Sequence, residues 1–455
     1  MLLPVELLTS LAAIRSFDRE AFEQVHLSGE QVTSLRINPL KPVSEAAGIK
    51  LDVCQPVPWA EQGYYLAERP SFTFDPLFHA GCYYVQEASS MFLEQALKQT
   101  LDLSIPLKVL DLCASPGGKS THIQSLLTKD SLLVSNEVIR SRSNVLKDNI
   151  VKWGAENVVV TSNDPKDFGR LEGFFDVIVV DAPCSGSGLF RRDPEAIREW
   201  SPGHVQLCAQ RQQRILADAW PALKKDGILV YSTCSYSEEE DEQVLDWISQ
   251  QVEAESRPLQ FDPHWGIRET IAASGAKGYR FWPDKLRGEG FFIACYQKKE
   301  EDEAVSLKLI KHPVQLSKKE KDTTSAWLNT EGKWLIRHDQ TVYAWPAEQA
   351  SLFSFILEKM RVVYSGVKTG ELVRDKLVPD HALAMSTIVS PGIRRAVLTK
   401  EEAIRYLQRK ELSLNGQSTG WTLAFYEGHS LGWLNILPGR VNNYYPKELR
   451  ILKDI

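Results

Sequence analysis

Between residues 107 and 235, five short apolar segments alternate with stretches of helical periodicity, and this alternation limits the possible folds more than any other feature. The strand candidates are Lys108–Leu112, Ser131–Glu137, Asn157–Asp164, Phe175–Asp181 and Gly227–Thr233. Between them Ile123, Leu126 and Leu127 recur at helical spacing, as do Leu146, Ile150 and Trp153. A longer helix is predicted from Leu207, Ile215, Leu216, Ala219 and Leu223, bent or ended by Pro221, which lacks an N–H and clashes with the preceding turn. Strands that are apolar throughout, such as Val177-Ile178-Val179-Val180, have no face for water, so helices must cover both sides. The pattern predicts an α/β fold with a doubly wound, Rossmann-like parallel sheet, whose ligands sit at the carboxyl ends of the strands.

The 455 residues leave room for further domains. Residues 1–75 read as a small α+β cap and 76–298 as the domain of the sheet. The charged stretch 299–325 reads as a linker, and 326–455 as a second α+β region marked by Trp334, Tyr343, Trp345, Trp421 and Trp433. The opening "MLLPVELLTSLAAIRSFDRE" lacks a basic start and meets Glu6 early, which predicts an amphipathic helix and not a signal peptide. No apolar run approaches the roughly 20 residues of a membrane span. After the fifth strand, Ser237 and Glu240 form a capping-box pattern for a helix over 237–252, with Val244, Leu245, Ile248 and Val252 as its buried stripe. "GEGFFIACYQK" (288–298) supplies a later strand. The net charge of −6 hides an asymmetry: residues 361–455 hold 14 Lys and Arg against 9 Asp and Glu. A basic surface at that end would suit nucleic acid; an uneven solvated surface would look the same.

The turn after the first strand, "DLCASPGGKST" (111–121), admits two machines. Gly118-Lys119-Ser120 matches the end of a phosphate-binding P-loop, and "FDVIVVD" (175–181) could pass for the strand that holds its magnesium. Cys113, however, stands where that loop needs its first glycine, and Pro116 offers no N–H to phosphate. A sulfonium cofactor fits otherwise. Its carboxylate would meet backbone donors at this turn, its ribose an acid ending the second strand, and its adenine a polar group after the third. Glu137 and Asp164 stand at those two strand ends, although each alone could be a solvated turn residue.

Seven cysteines are scattered without a C-x-x-C pair, so the sequence predicts no disulfide framework or metal site and a reducing, cytoplasmic setting. Cys54, Cys82, Cys113, Cys208 and Cys295 read as small core hydrophobes. Cys184 in "DAPCSGSG" and Cys234 in "STCSYSEEEDEQ" differ, because they follow the fourth and fifth strands, which lie side by side in a doubly wound sheet. They should face one pocket, as a redox pair or as a catalytic one. Beside a methyl donor, cysteine has a specific use. Carbon 5 of cytosine is not nucleophilic, but a thiolate adding to carbon 6 makes it enamine-like and able to take a methyl group. Asp181 is placed to steady the base's N3, and Lys119 to lower the thiol's pKa. Glu238 to Glu240 would oppose a thiolate if they faced inward, and are expected to face solvent.

These stretches resemble the motifs of the Sun/Nop RNA cytosine-5 methyltransferases. "LRINPLK" (35–41), "YYVQEASSM" (83–91) and "GEGFFIA" (288–294) are similar to flanking elements of the same family, so the likeness spans residues 35–298. "GELVRDKLVPDHALAMS" (370–386) and "NNYYPKELR" (442–450) are similar to the RsmF-type branch of bacterial ribosomal RNA methyltransferases. The resemblance implies S-adenosylmethionine as cofactor, held by Cys113, Ala114, Ser115, Pro116, Gly117, Gly118, Lys119, Glu137, Arg142, Asp164 and Asp181. It implies Cys234 as the nucleophile, Cys184 as the residue assisting proton removal and release, and Lys119 and Asp181 at the target base. Small-subunit ribosomal RNA is the implied partner, bound by an N-terminal cap and a PUA-like C-terminal region; a chain with its own RNA-binding domains can dock without a symmetric partner, so a monomer is expected. Arg394, Arg395, Arg405, Arg409, Lys410, Lys447 and Arg450 are then candidates for phosphate contacts, and Tyr444 and Tyr445 for stacking on bases. A non-catalytic RNA-binding assembly factor that retains the sheet stays open, as does the nucleotide hydrolase.

Overall fold

Five parallel strands form where the apolar runs stand: β1 (Lys108–Asp111), β2 (Leu132–Asn136), β3 (Val158–Thr161), β4 (Phe175–Asp181) and β5 (Leu223–Thr233). They belong to a computed structural model that describes residues 3–43, 53–301, 314–414 and 418–454. Their order is β3-β2-β1-β4-β5, all neighbours parallel, so the winding reverses between β1 and β4. That reversal opens a crevice at the carboxyl ends. β6 (Arg268–Ile271), β7 (Lys277–Phe281) and β8 (Phe291–Lys298) extend the sheet antiparallel beyond β5, and a short strand, Ala254–Ser256, pairs with β8. On the far side β9 (Val362–Ser365), from the last third of the chain, pairs antiparallel with β3.

Successive residues of a strand point to opposite faces, and here both faces are apolar. Val109, Leu133, Val177 and Val179 pack on Ile123 of α1 (Gly118–Leu126) and on Leu146, Ile150 and Trp153 of α2 (Arg140–Trp153). Leu110, Val134, Ile178 and Val180 pack on Ile215 and Leu216 of α3 (Pro202–Ala219) and on Val244, Leu245 and Ile248 of α4 (Glu242–Gln251). Each such side chain contributes about 1.5–3 kcal/mol when fully buried. α3 ends at Ala219 and gives way to a 3₁₀ turn, Trp220–Ala222, around Pro221.

Three expectations are corrected. The opening segment forms two short helices, Val5–Leu11 and Arg19–Leu27, because Asp18 caps a second start, accepting from the Ala21 N–H at 3.2 Å. Met1 and Leu2 lie outside the described residues. The helix after β5 begins at Glu242, without a capping box, because Ser237 and Glu240 are buried in the loop before it. Within the charged connection a helix, Lys318–Ser325, forms behind a capping box made by Ser317 and Glu320; residues 302–313 lie outside the description.

The N-terminal region carries a four-stranded sheet, and the last third carries a five-stranded and a four-stranded sheet. First and last regions share a core: Leu35, Leu66, Leu77 and Tyr83 pack with Ala396, Tyr406, Leu431 and Leu434. Among the described residues no helix is long and apolar enough to cross a membrane.

Candidate active site

The turn after β1 is built by the residues that looked like a phosphate loop. Gly117, at φ +115°, makes the left-handed step into α1, a conformation that disfavours a side chain. Asn149 donates to the Pro116 carbonyl at 2.9 Å, and the Ala114 N–H to the Asn136 carbonyl at 2.8 Å. Asp111 is fully buried and accepts the Ser120 hydroxyl at 2.6 Å; burial pushes its pKa up to about 7, against the pull of that hydrogen bond. Lys119 leaves the turn and places Nζ 2.7 Å from Asp181 Oδ2, over the Phe291 ring. Lys119 and Ser120 are thus committed to carboxyl groups, where a P-loop would turn both towards phosphate and magnesium.

A cavity of about 610 Å³ opens at the carboxyl ends of the strands, well within the range of small-molecule sites. It brings together Cys113 and Ser115 after β1, Glu137 and Arg142 after β2, Asp164 after β3, Asp181 and Cys184 at the end of β4, and Cys234 after β5. Ala114, Pro116, Gly117, Gly118 and Lys119 do not line it. Glu137 is buried, accepts the Ile139 N–H at 2.9 Å and lies 3.4 Å from Arg142. The Arg142 guanidinium also donates to the Ser115 carbonyl at 3.1 Å, tying the first turn to the second. Asp164 caps the short helix Pro165–Phe168 through the Lys166 N–H at 3.2 Å.

Cys184 and Cys234 face each other with their sulfurs 3.0 Å apart. The hydrogen bond to Cys234, then burial, raises the Cys184 pKa well above its ordinary value. Burial works to lower the Lys119 pKa, but Asp181 outweighs it and Cys234 adds to the rise, so the ammonium is held protonated. Its own raised pKa keeps Cys184 as the thiol. Asp181 also accepts the Ser232 hydroxyl at 2.9 Å, so both its oxygens are held in place.

The flanking segments brace these loops. Glu87 accepts the N–H groups of Ser89 at 2.8 Å, Ser90 at 2.9 Å and Glu289 at 2.9 Å. Gly290 N–H then donates to the Gly188 carbonyl at 3.2 Å, and Gly188 N–H to the Cys234 carbonyl at 2.8 Å. Behind α1, the buried Arg36 donates to the Gly118 carbonyl at 3.2 Å and the Thr121 hydroxyl at 2.6 Å. Cys82, Cys208 and Cys295 are buried as expected, Cys113 is half-buried at the cavity wall, and the Cys54 side chain lies outside the description.

One site expectation fails: Glu240 does not face solvent but is fully buried between the two cysteine loops. Sequence reasoning also missed Val138, Ile139, Arg211 and Arg214, all lining the cavity. The i, i+3 spacing of the two arginines on α3 puts them on one helix face, but nothing in the sequence distinguishes that face from an ordinary wet one.

In the C-terminal region Arg405 donates to the Glu411 carbonyl, Arg409 to the Tyr445 carbonyl, and Lys410 pairs with Asp454. Arg395 lies over the Phe425 ring at 4.7 Å. Arg394, Lys447 and Arg450 are exposed. Tyr445 is core, whereas Tyr444 is 42% exposed.

Residues 98–297 match the family model of the 16S rRNA methyltransferase RsmB/F. Residues 3–88 match the N-terminal domain of 16S rRNA methyltransferase RsmF, and residues 395–451 its PUA domain. A ribosomal RNA small subunit methyltransferase F of Vibrio parahaemolyticus is 32% identical over 441 residues, 91% of each chain. One of Shewanella loihica is 28% identical over 457 residues, 93% of this chain and 92% of the other. A solved methyltransferase homologue from Pyrococcus horikoshii superposes with a TM-score of 0.52 at 27% identity, over 65% of this chain and all of that one.

Proposed function

Because the chain belongs to the ribosomal RNA small subunit methyltransferase F family, we propose that it methylates carbon 5 of a cytosine in small-subunit ribosomal RNA. The observation that carries this reading is the pair of sulfurs 3.0 Å apart at adjacent strand ends, beside the Lys119–Asp181 pair.

The cavity fits S-adenosylmethionine. Glu137 supplies a buried acid for the ribose, Val138 and Ile139 expose 54% and 48% of their surface for a flat base, and Asp164 stands one strand further on. When bound, the cofactor supplies the methyl group. The chain's own residues do the rest. The Cys234 thiolate, stabilised by the Lys119 ammonium, adds to carbon 6 of the cytosine, and the electron pair of the 5,6 double bond becomes available at carbon 5. Asp181 steadies the charge that develops towards N3. After carbon 5 takes the methyl group, its proton is removed with the help of Cys184, the double bond re-forms and the carbon–sulfur bond breaks, freeing the Cys234 thiolate. The target base must leave its stack to reach the sulfurs, at a cost of a few kcal/mol that RNA contacts by the flanking regions offset. The setting is cytoplasmic and the acting species a monomer.

The test is methyl transfer from labelled S-adenosylmethionine to small ribosomal subunits and to extracted RNA, followed on denaturing gels. Label at carbon 5, lost in Cys234→Ala, with a protein–RNA adduct accumulating in Cys184→Ala, is the expected result. An adduct in Cys234→Ala would reverse the roles of the cysteines, and no label on either substrate would overturn the reading.

A further inference from the structure

Glu240 has no place in the chemistry above, yet it is fully buried beside it. A carboxyl group taken out of water is costly unless donors surround it, and four do. Its Oε1 accepts the Ser185 N–H at 2.8 Å and the Gln212 amide at 2.9 Å; its Oε2 accepts the hydroxyls of Ser185 and, at 2.6 Å, of Ser235. Three of these donors belong to the residues directly following Cys184 and Cys234. Gln212, on α3, also donates to the carbonyl of Pro183, the residue before Cys184, at 3.1 Å. The Tyr231 hydroxyl holds the Glu240 main-chain carbonyl at 2.6 Å, so the group is anchored to β5 as well.

We propose that Glu240 is a positioning residue, a clamp between the two cysteine loops that sets the separation of the Cys184 and Cys234 sulfurs. The loops leave different strands, and the only covalent path between Ser185 and Ser235 runs through 50 residues. The carboxyl group replaces that long path with two short hydrogen bonds. It does not line the cavity, and it acts on turnover through the thiols. The inference rests on the reading that both cysteines serve one cytosine.

The test uses the full chain and needs no RNA for its first arm. Diamide takes two electrons and two protons from neighbouring thiols, leaving a disulfide and a hydrazine, so the rate of a Cys184–Cys234 crosslink, identified by peptide mass, reports the separation of the sulfurs. Glu240→Ala should slow both this crosslink and kcat by about 10²-fold, the usual consequence of an ångström-scale misplacement, with KM for S-adenosylmethionine unchanged. Glu240→Gln, which can accept from Ser185 and Gln212 and donate to the two hydroxyls, should restore most of both rates. Ser235→Ala removes one arm of the clamp and should show the same split if Glu240→Ala does not fold. Wild-type crosslinking and turnover in folded Glu240→Ala, or equal damage in Glu240→Gln, would overturn the proposal. Absent methyl transfer in the wild type would overturn the cytosine reading instead, and the crosslink would still judge the clamp.

Discussion

The Lys119 ammonium lies 2.7 Å from Asp181 Oδ2, joining the helix after the first strand to the end of the fourth. The pair puts a cation within electrostatic reach of Cys234 and a carboxylate on the wall of the cavity that both cysteines line. Asp181→Asn keeps the shape and the contact with Ser232, and should lower methyl transfer by about 10²–10⁴-fold, the range for a positioned acid–base group. Lys119→Met removes the cation that interacts electrostatically with Cys234. In a Cys184→Ala background, alkylation of Cys234 at fixed pH should slow; an unchanged rate would detach Lys119 from the thiol.

Asp111 makes a prediction about stability. Its folded pKa of about 7 stands above the ordinary 3.8, chiefly through burial. As pH rises from about 4 to about 7, the unfolded chain gives up this proton while the folded chain keeps it, so this residue's contribution to stability falls across that window and is level above it. Glu289, buried and likewise raised to about 7, acts in the same sense. In Asp111→Asn the difference in melting temperature from the wild type should therefore shift in the variant's favour between pH 4 and 7, measured without cofactor. A constant difference would show that the carboxyl group is solvated.

Gly188 sits where three segments meet. A Cβ there would lie 2.5 Å from the Gly290 carbonyl oxygen and 2.8 Å from that of Cys234, with backbone on both sides. Gly188→Ala should cost about 1–3 kcal/mol of stability through overpacking, and should slow adduct formation more than it weakens cofactor binding, because one displaced atom belongs to Cys234. Thermal melts and cofactor titration separate the two effects.

The basic residues of the C-terminal region divide by partner. Arg409 is spent on the Tyr445 carbonyl, so Arg409→Ala should lower the melting temperature more than it changes RNA binding. Lys447 and Arg450 are exposed. If they meet phosphate, each change to Ala should reduce the slope of log K against log salt for ribosomal RNA by about 1. An unchanged slope would assign them to solvent.

The central sheet was legible because an apolar run flanked by polar turns admits little else, and four of the five strands end within three residues of the expected positions at both ends. β5 starts four residues early, at Leu223, because Lys224, Lys225 and Asp226 extend it as an exposed polar end that no hydrophobic pattern marks. The two cysteines were legible by topology: adjacent strands must deliver their following loops to one place. Glu240 was not. "SEEED" has the composition of a wet first turn, and two of the three residues that donate to its third glutamate stand 28 and 55 positions away. Arg36 was hidden for the same reason, since its partners at Gly118 and Thr121 are more than 80 residues distant.

The pairing of β9 with β3 bears on how the molecule can be cut. A fragment ending at residue 298 would keep both cysteines and the whole cavity lining, yet would strip the cover from Val158–Thr161. An apolar strand with one open edge is a template for another copy of itself, so such a fragment should come out of expression as aggregate. One ending after Ser365 keeps that border closed. The last third of the chain is thus a seal on the catalytic sheet, and its loss would be read first as insolubility and only then as lost recognition.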